Sequence, residues 1–212
     1  MTQTQSIQAD PELGAVEVQG ISRASFILRG ALVTGAVMGA GAVGPFVSSA
    51  LAADATSDLD ILNFALTLEY LESNFYTVKG KSVGLSGEAK TLAKLFGSEE
   101  TQHVDALTHA IKAGGGKPVK MPTFVFPVTN QAQFLKLAYT LENVGVGAYN
   151  GAGPALKSKE LLAAAGSIVQ VEARHAASMG LLTNQSVVPN GAFDKPLSKA
   201  AVLKAAGPLI KS

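Results

Sequence analysis

The chain has 212 residues, 47% of them hydrophobic and 16% charged, which is enough to bury one substantial core after any processed leader. Seventeen basic residues against sixteen acidic ones leave a net charge of +1, so there is no general field to steer nucleic acid, and none is expected as a partner. With no cysteine, thiol catalysis, iron–sulfur clusters, disulfides and cysteine zinc sites are all excluded, and Glu, Asp and His remain as the strong metal ligands.

Residues 1–52 read as an export leader. No charged residue occurs from Gly30 to Ala53; Arg23 and Arg29 precede that run, and Ala50-Leu51-Ala52 forms a small-residue cleavage pattern near its end. The run is long enough to span a bilayer, but five glycines and Pro45 dilute its hydrophobicity, so cleavage is preferred over a retained anchor. The stretch from Ser22 to Arg29 resembles a twin-arginine export signal in which Ala24 replaces the second arginine. The expected location is exported, in a periplasm or at a cell surface. A retained segment would instead be a membrane anchor or an assembly arm.

Residues 53–185 are expected to form one all-α domain. Ser57 with Asp60 makes a capping box, and Leu62, Ala65, Leu66, Glu69, Ser73 and Tyr76 follow at helical spacing, predicting a first helix over roughly 58–79. A second helix starts after Ser86, carries Leu92, Phe96, Glu100, His103, Leu107 and Ala110 on one face, and stops at Gly114-Gly115-Gly116. Pro118, Pro122 and Pro127 then mark an extended crossover rather than a tight turn. Asn130, with Gln133 three residues on, opens a third helix through Leu135, Ala138, Glu142 and Tyr149. A fourth starts after Ser158 and carries Ala165, Ile168, Val169, Glu172, His175, Met179 and Leu182. In the extension 186–212, a short helix after Ser198 ends at Gly207-Pro208 and is expected to cap one end of the bundle.

The helices come in repeated pairs. Thr67-Leu68-Glu69 recurs as Thr140-Leu141-Glu142, each glutamate followed seven residues later by a tyrosine, Tyr76 and Tyr149. Glu100-Thr101-Gln102-His103 recurs as Glu172-Ala173-Arg174-His175. In each ExxH the Glu and His are separated by about 60° around the helix and about 4.5 Å along it, close enough to share one metal. All four glutamates sit within apolar stripes that carry no Lys or Arg. Four buried carboxylates need cations or protons, and two divalent ions supply the balancing charge, with the two imidazoles completing a set suited to iron or manganese. Ten glutamates in 212 positions give any one His only about a 5% chance of a Glu three residues earlier, yet two of three have one.

This pattern resembles the di-iron and di-manganese carboxylate proteins of the ferritin-like superfamily: a four-helix bundle with one long crossover, plus here a short C-terminal helix. Behind an export leader it is similar to the exported ferritin-like proteins labelled desiccation-related. The resemblance implies a dinuclear site in which Glu100 and Glu172 bridge, His103 and His175 bind one metal each, and Glu69 and Glu142 are terminal ligands. Glu72, one turn beyond Glu69, is a candidate extra or exchangeable ligand. Tyr76 and Tyr149 are too far along the axis to reach their own glutamates; core packing is preferred for both, with a contact to a ligand on a neighbouring helix as the alternative second-shell role. His109, Glu99 and Glu160 read as surface groups, and Met179 as core.

The leading expectation is a di-iron oxidoreductase that oxidises Fe(II) or reduces peroxide or dioxygen in stress protection. A di-manganese catalase and a non-enzymatic protective protein with a structural metal site are the alternatives. Homo-oligomers would form through the bundle surface or the N-terminal arm.

Overall fold

The computed structural model describes residues 57–211, so the leader, anchor and arm readings of residues 1–52 lie outside the described residues. The first helix, α1, runs Asp58–Asn74 and is opened by the predicted capping box: the Ser57 hydroxyl accepts from the Asp60 amide at 3.1 Å and the Asp60 carboxylate accepts from the Ser57 amide at 3.3 Å. Such a cap contributes about 1 kcal/mol. The helix does not stop near 79. It passes through a π-helical turn over Phe75–Lys79, in which the Gly80 amide reaches back five residues to the Phe75 carbonyl, and closes with one more turn, Gly80–Ser82.

The second helix, α2, spans Gly87–Ala113 and ends in the glycine run as expected. The crossover 114–130 carries a two-residue strand, β1 (Thr123–Phe124). Then α3 runs Gln131–Ala152, capped by the Asn130 side chain on the Gln133 amide at 3.0 Å, and α4 runs Lys159–Thr183, capped by Ser158 and closed by Asn184 in the left-handed conformation. The short α5 (Lys199–Ala206) follows, and β2 (Ile210–Lys211) pairs antiparallel with β1, Thr123 opposite Lys211 and Phe124 opposite Ile210. The ladder ties the tail to the crossover, and the architecture is that of an all-α bundle.

The tail helix does not cap an end. The Leu197 amide donates to the Gly147 carbonyl at 2.8 Å, while past the helix the Leu209 carbonyl accepts from Val125, just before α3 begins. So α5 lies along the flank of α3, with Val202 and Ala206 buried against it. Gly151 makes the approach feasible: a Cβ there would stand 2.0 Å from the Leu197 carbonyl oxygen.

In the bundle α1 packs on α2 and α3 on α4, and contacts between α1 and α3 and between α2 and α4 close the square. Buried apolar residues fall into two clusters. One holds Phe75, Tyr76, Phe96, Phe134 and Met179, the other Leu62, Leu66, Leu107, Ile111, Tyr149 and Ile168. On each helix the predicted ligands fall between them, so a polar layer crosses the middle of the core. Among the described residues, no helix is long and apolar enough to cross a membrane.

Candidate metal centre

The buried charged and imidazole side chains among the described residues are Glu69, Glu72, Glu100, His103, Glu142, Glu172 and His175, and no Lys or Arg is buried with them. The helical stripes explain the convergence: each ligand position continues the inward face of its helix, and the four helices bring those faces to one level. Three groups have one ligand atom per residue within 4.8 Å of one another: Glu69, Glu100, His103 and Glu172; Glu100, Glu142 and His175; and Glu72, Glu142 and Glu172. All six residues singled out by the ExxH repeat and its matching glutamates are therefore brought together, and Glu72 joins them.

Glu100 stands between the two imidazoles. Its Oε2 is 2.9 Å from His103 Nδ1, and its Oε1 is 2.8 Å from His175 Nδ1. Around His103 Nδ1 lie also Glu69 Oε2 and Glu172 Oε1, each at 3.3 Å, and near His175 Nδ1 lies Glu142 Oε2 at 3.4 Å. Several of these atoms are close without hydrogen-bond geometry. Glu69 Oε2, Glu100 Oε1, Glu142 Oε2, both Glu172 oxygens and His175 Nδ1 are buried with no hydrogen-bond partner. Buried acceptors left in this state are costly, and a divalent cation is the partner that several carboxylate oxygens and an imidazole nitrogen can share. The residues fit metal on this ground.

Charge coupling follows the same layout. Burial, with the Glu100 charge added, pushes Glu69 up to about 7 despite the opposing His103. Glu142 is raised by burial, then by Glu100; Glu72 and Glu172 are raised well above the usual carboxylate range by burial, then by one another's or Glu100's charge. Burial acts on Glu100 too, yet the two approaching histidines bring it down to about 2. Burial likewise opposes protonation of His103 and His175, but the surrounding carboxylates hold them up at about 12 and about 11. Without metal, protons on the imidazoles and on several carboxylates supply the balance.

Two sequence expectations are corrected here and a third is extended. Tyr76 and Tyr149 are more than core packing: the Tyr76 hydroxyl donates to Glu142 and the Tyr149 hydroxyl to Glu69, each crossing between α1 and α3. Burial, then the adjacent carboxylate, raises both phenols, so they remain donors. Glu99 is not a purely solvated surface charge. It reaches across to α4, where His175 Nε2 donates to its Oε2 at 2.7 Å, fixing the ring with Nδ1 toward the cluster. Phe96 stacks on the same ring with centroids 3.8 Å apart. Finally, the four buried carboxylates are joined by a fifth, Glu72, whose raised pKa keeps its proton on and leaves the charge count of the other four as it was.

Both additions break the internal repeat. The counterpart of Glu99 is Val171, so the repeat supplies no equivalent carboxylate for His103. The counterpart of Glu72 is Gly145, and a Cβ at Gly145 would stand 2.7 Å from Glu172 Oε2 and 3.2 Å from Glu72 Oε1. The glycine gives up its side chain to the carboxylates. Both extra acids thus stand near Glu142, Glu72 directly and Glu99 through His175. His109 and Glu160 are exposed as expected, Glu160 accepting from the Ser158 hydroxyl at 2.8 Å.

The sequence profile of the ferritin-like domain matches residues 57–185. A crystal structure of a conserved hypothetical protein from Mycobacterium tuberculosis is similar with a TM-score of 0.53 and 16% identity, over 66% of this chain and 92% of that one, a likeness of fold alone. No curated protein matches the chain.

Proposed function

The chain belongs to the ferritin-like domain family, and from that footing we propose that its buried cluster holds two iron ions and oxidises Fe(II) with dioxygen or peroxide, in protection against iron or peroxide stress. The observation that carries the reading is the set of buried, unpartnered oxygens and nitrogen converging from four helices. Bound iron would supply the one-electron redox chemistry of the reaction. Glu69, Glu100, Glu142 and Glu172 would be the carboxylate ligands, His103 and His175 the imidazole ligands, and Glu72 an additional carboxylate beside Glu142 and Glu172. Glu100, with one oxygen facing each imidazole, would be the carboxylate shared by the two ions, and its position between the histidines supports that reading.

The protein's own part is orientation and exclusion of water. Glu69, Glu100, Glu142 and Glu172 have no solvent exposure, Glu99 and Phe96 hold the His175 ring, and the two tyrosines hold one terminal carboxylate each. Metal uptake must displace the protons on His103 and His175, so it releases acid. With the leader directing export, the reaction would run outside the cytoplasm.

The test is anaerobic loading with Fe(II) followed by dioxygen or peroxide, together with elemental analysis of the protein as isolated. Two Fe(II) oxidised per chain, with at least a hundredfold slower oxidation in Glu100→Ala and His175→Ala, is the expected result. Parental rates in both variants would reject the assignment. Manganese in the isolated protein with oxygen evolved from peroxide would replace iron oxidation by catalase chemistry.

A further inference from the structure

The two halves of the core beside the carboxylate layer are filled differently, and a cavity of about 60 Å³ is lined chiefly by the cluster of Leu62, Leu107, Tyr149 and Ile168, with Leu68 and Ala148 of the other cluster at its edge. Leu62, Ala65, Leu107, Ala148, Tyr149 and Ala165 contribute to its wall, and the rest of the lining is likewise alanine, leucine, isoleucine, phenylalanine or glycine. The lone side-chain polar group on the wall is the Tyr149 hydroxyl, already donated to Glu69. One wall residue, Tyr149, is therefore hydrogen-bonded to a candidate metal ligand. Leu107 lies four residues past His103 and Ile168 four before Glu172, about 6 Å along each helix. At the other side the wall includes Ala106 of α2 and Ala164 of α4, both exposed, which marks a mouth between those helices.

We propose that this cavity is a holding site for dioxygen on its way to the metal cluster. The inference rests on the Fe(II)-oxidising reading above and narrows its oxidant. A cavity of this size is several times what one water needs, about 10–15 Å³, and less than half of the roughly 150 Å³ that accommodates benzene. It has room for a diatomic gas and is small for a ring. Peroxide would give up its hydrogen bonds to water and find none here, whereas dioxygen has none to lose. In the reaction served, two ferrous ions give one electron each, and dioxygen takes both with two protons and leaves as hydrogen peroxide.

The repeat sharpens the assignment, because the equivalent position beside Tyr76 is surrounded by aromatic rings. Tyr76 packs edge-on against Phe96 and Phe134, and Phe75 stacks on Phe134 at 4.3 Å. The Tyr149 side, lined by alanines and leucines, is the side that offers space to a small apolar molecule.

The cavity can be probed without iron. In the metal-free full-length chain carrying ¹³C-labelled alanine methyls, dioxygen at a few bar should enhance methyl relaxation at Ala65, Ala148 and Ala165 at least threefold over that at exposed Ala163. Leu substitutions at the exposed mouth, Ala106→Leu and Ala164→Leu, or inside at Ala165→Leu, should remove that excess. In the iron-loaded chain they should slow oxidation by dioxygen about tenfold while leaving Fe(II) uptake and oxidation by peroxide at parental levels. Equal enhancement at all alanines would overturn the proposal, as would parental dioxygen rates in all three variants. Displacement of dioxygen by n-hexane would reassign the cavity to an aliphatic chain. If the parent oxidises Fe(II) with neither oxidant, the functional reading fails and the delivery role with it, while methyl relaxation alone still decides whether dioxygen binds there.

Discussion

On one side of the carboxylate layer Phe75, Tyr76, Phe96, Phe126 and Phe134 stack or meet edge to face; on the other, alanines stand among leucines and leave space. Both halves come from the same repeated helix pair, and each sends one tyrosine to a glutamate. The difference teaches that the repeat specifies the ligand layer, while the packing on either side is free to be rigid or hollow. Edge-to-face and stacked rings add attraction beyond area burial and fix neighbouring side chains. Small residues lose dispersion contacts but keep a passage.

The largest expected effect concerns the layer that both halves share. Without metal, Glu69 has a folded pKa of about 7 against 4.5 unfolded, so its contribution to stability is present below 4.5 and is lost as pH rises through 7. His103 acts in the same direction, from 6.5 up to about 12, whereas Glu100, depressed to about 2, contributes above 4.5 and loses its contribution only in acid. The metal-free chain should lose stability from pH 5 to 8. Metal at a thousandfold over its Kd should add about 4 kcal/mol, and the gap should widen with pH because ligands must deprotonate. Calorimetry with and without chelator measures this; a gap independent of pH would contradict the proton inventory.

Substitutions then separate the halves. Phe134→Ala removes a fully buried ring from the stack and should cost about 3 kcal/mol or more in urea unfolding, whereas Ala165→Leu in the hollow half should change stability by less than about 1 kcal/mol. Equal costs would erase the contrast. Tyr76→Phe and Tyr149→Phe each remove a hydrogen bond to a buried carboxylate and should each cost about 1.5–3 kcal/mol, with Tyr149→Phe alone enlarging the dioxygen signal of the cavity. At the small end, Glu99→Gln should weaken one of two metal-binding steps about tenfold, about 1.4 kcal/mol, and leave the other unchanged, because His103 has no such partner in the repeat. A titration in which both steps weaken alike would show that Glu99 acts through general charge instead.

Four helices, the caps at Ser57 and Asn130 and the convergence of six buried residues were legible because they leave local or periodic traces: apolar stripes interrupted by Glu69, Glu100, Glu142 and Glu172, and a motif occurring twice. What escaped depends on contacts between distant segments. Glu99 lies off the stripe, and its value comes from His175, 76 residues away. The π-turn in α1 exists only through the bond from the Gly80 amide back to Phe75, which no local composition announces. The tail's course along α3 depends on Leu197 meeting bare backbone at Gly147 and Gly151. One signal was present and informative: the repeat fails at Glu72 with Gly145 and at Glu99 with Val171, and both failures lie beside the cluster.

The exchange of tyrosines, Tyr76 to Glu142 and Tyr149 to Glu69, has the form of an isologous contact across a two-fold axis. Two copies of one hairpin, encoded once, would make both bonds with a single tyrosine and a single glutamate. Joining the copies by the crossover keeps that axis in the ligand layer and releases every other position from it. Glu72 and Glu99 are substitutions that a symmetric pair would have to carry twice; in the joined chain each occurs once, and the two sides of the carboxylate layer are free to become different.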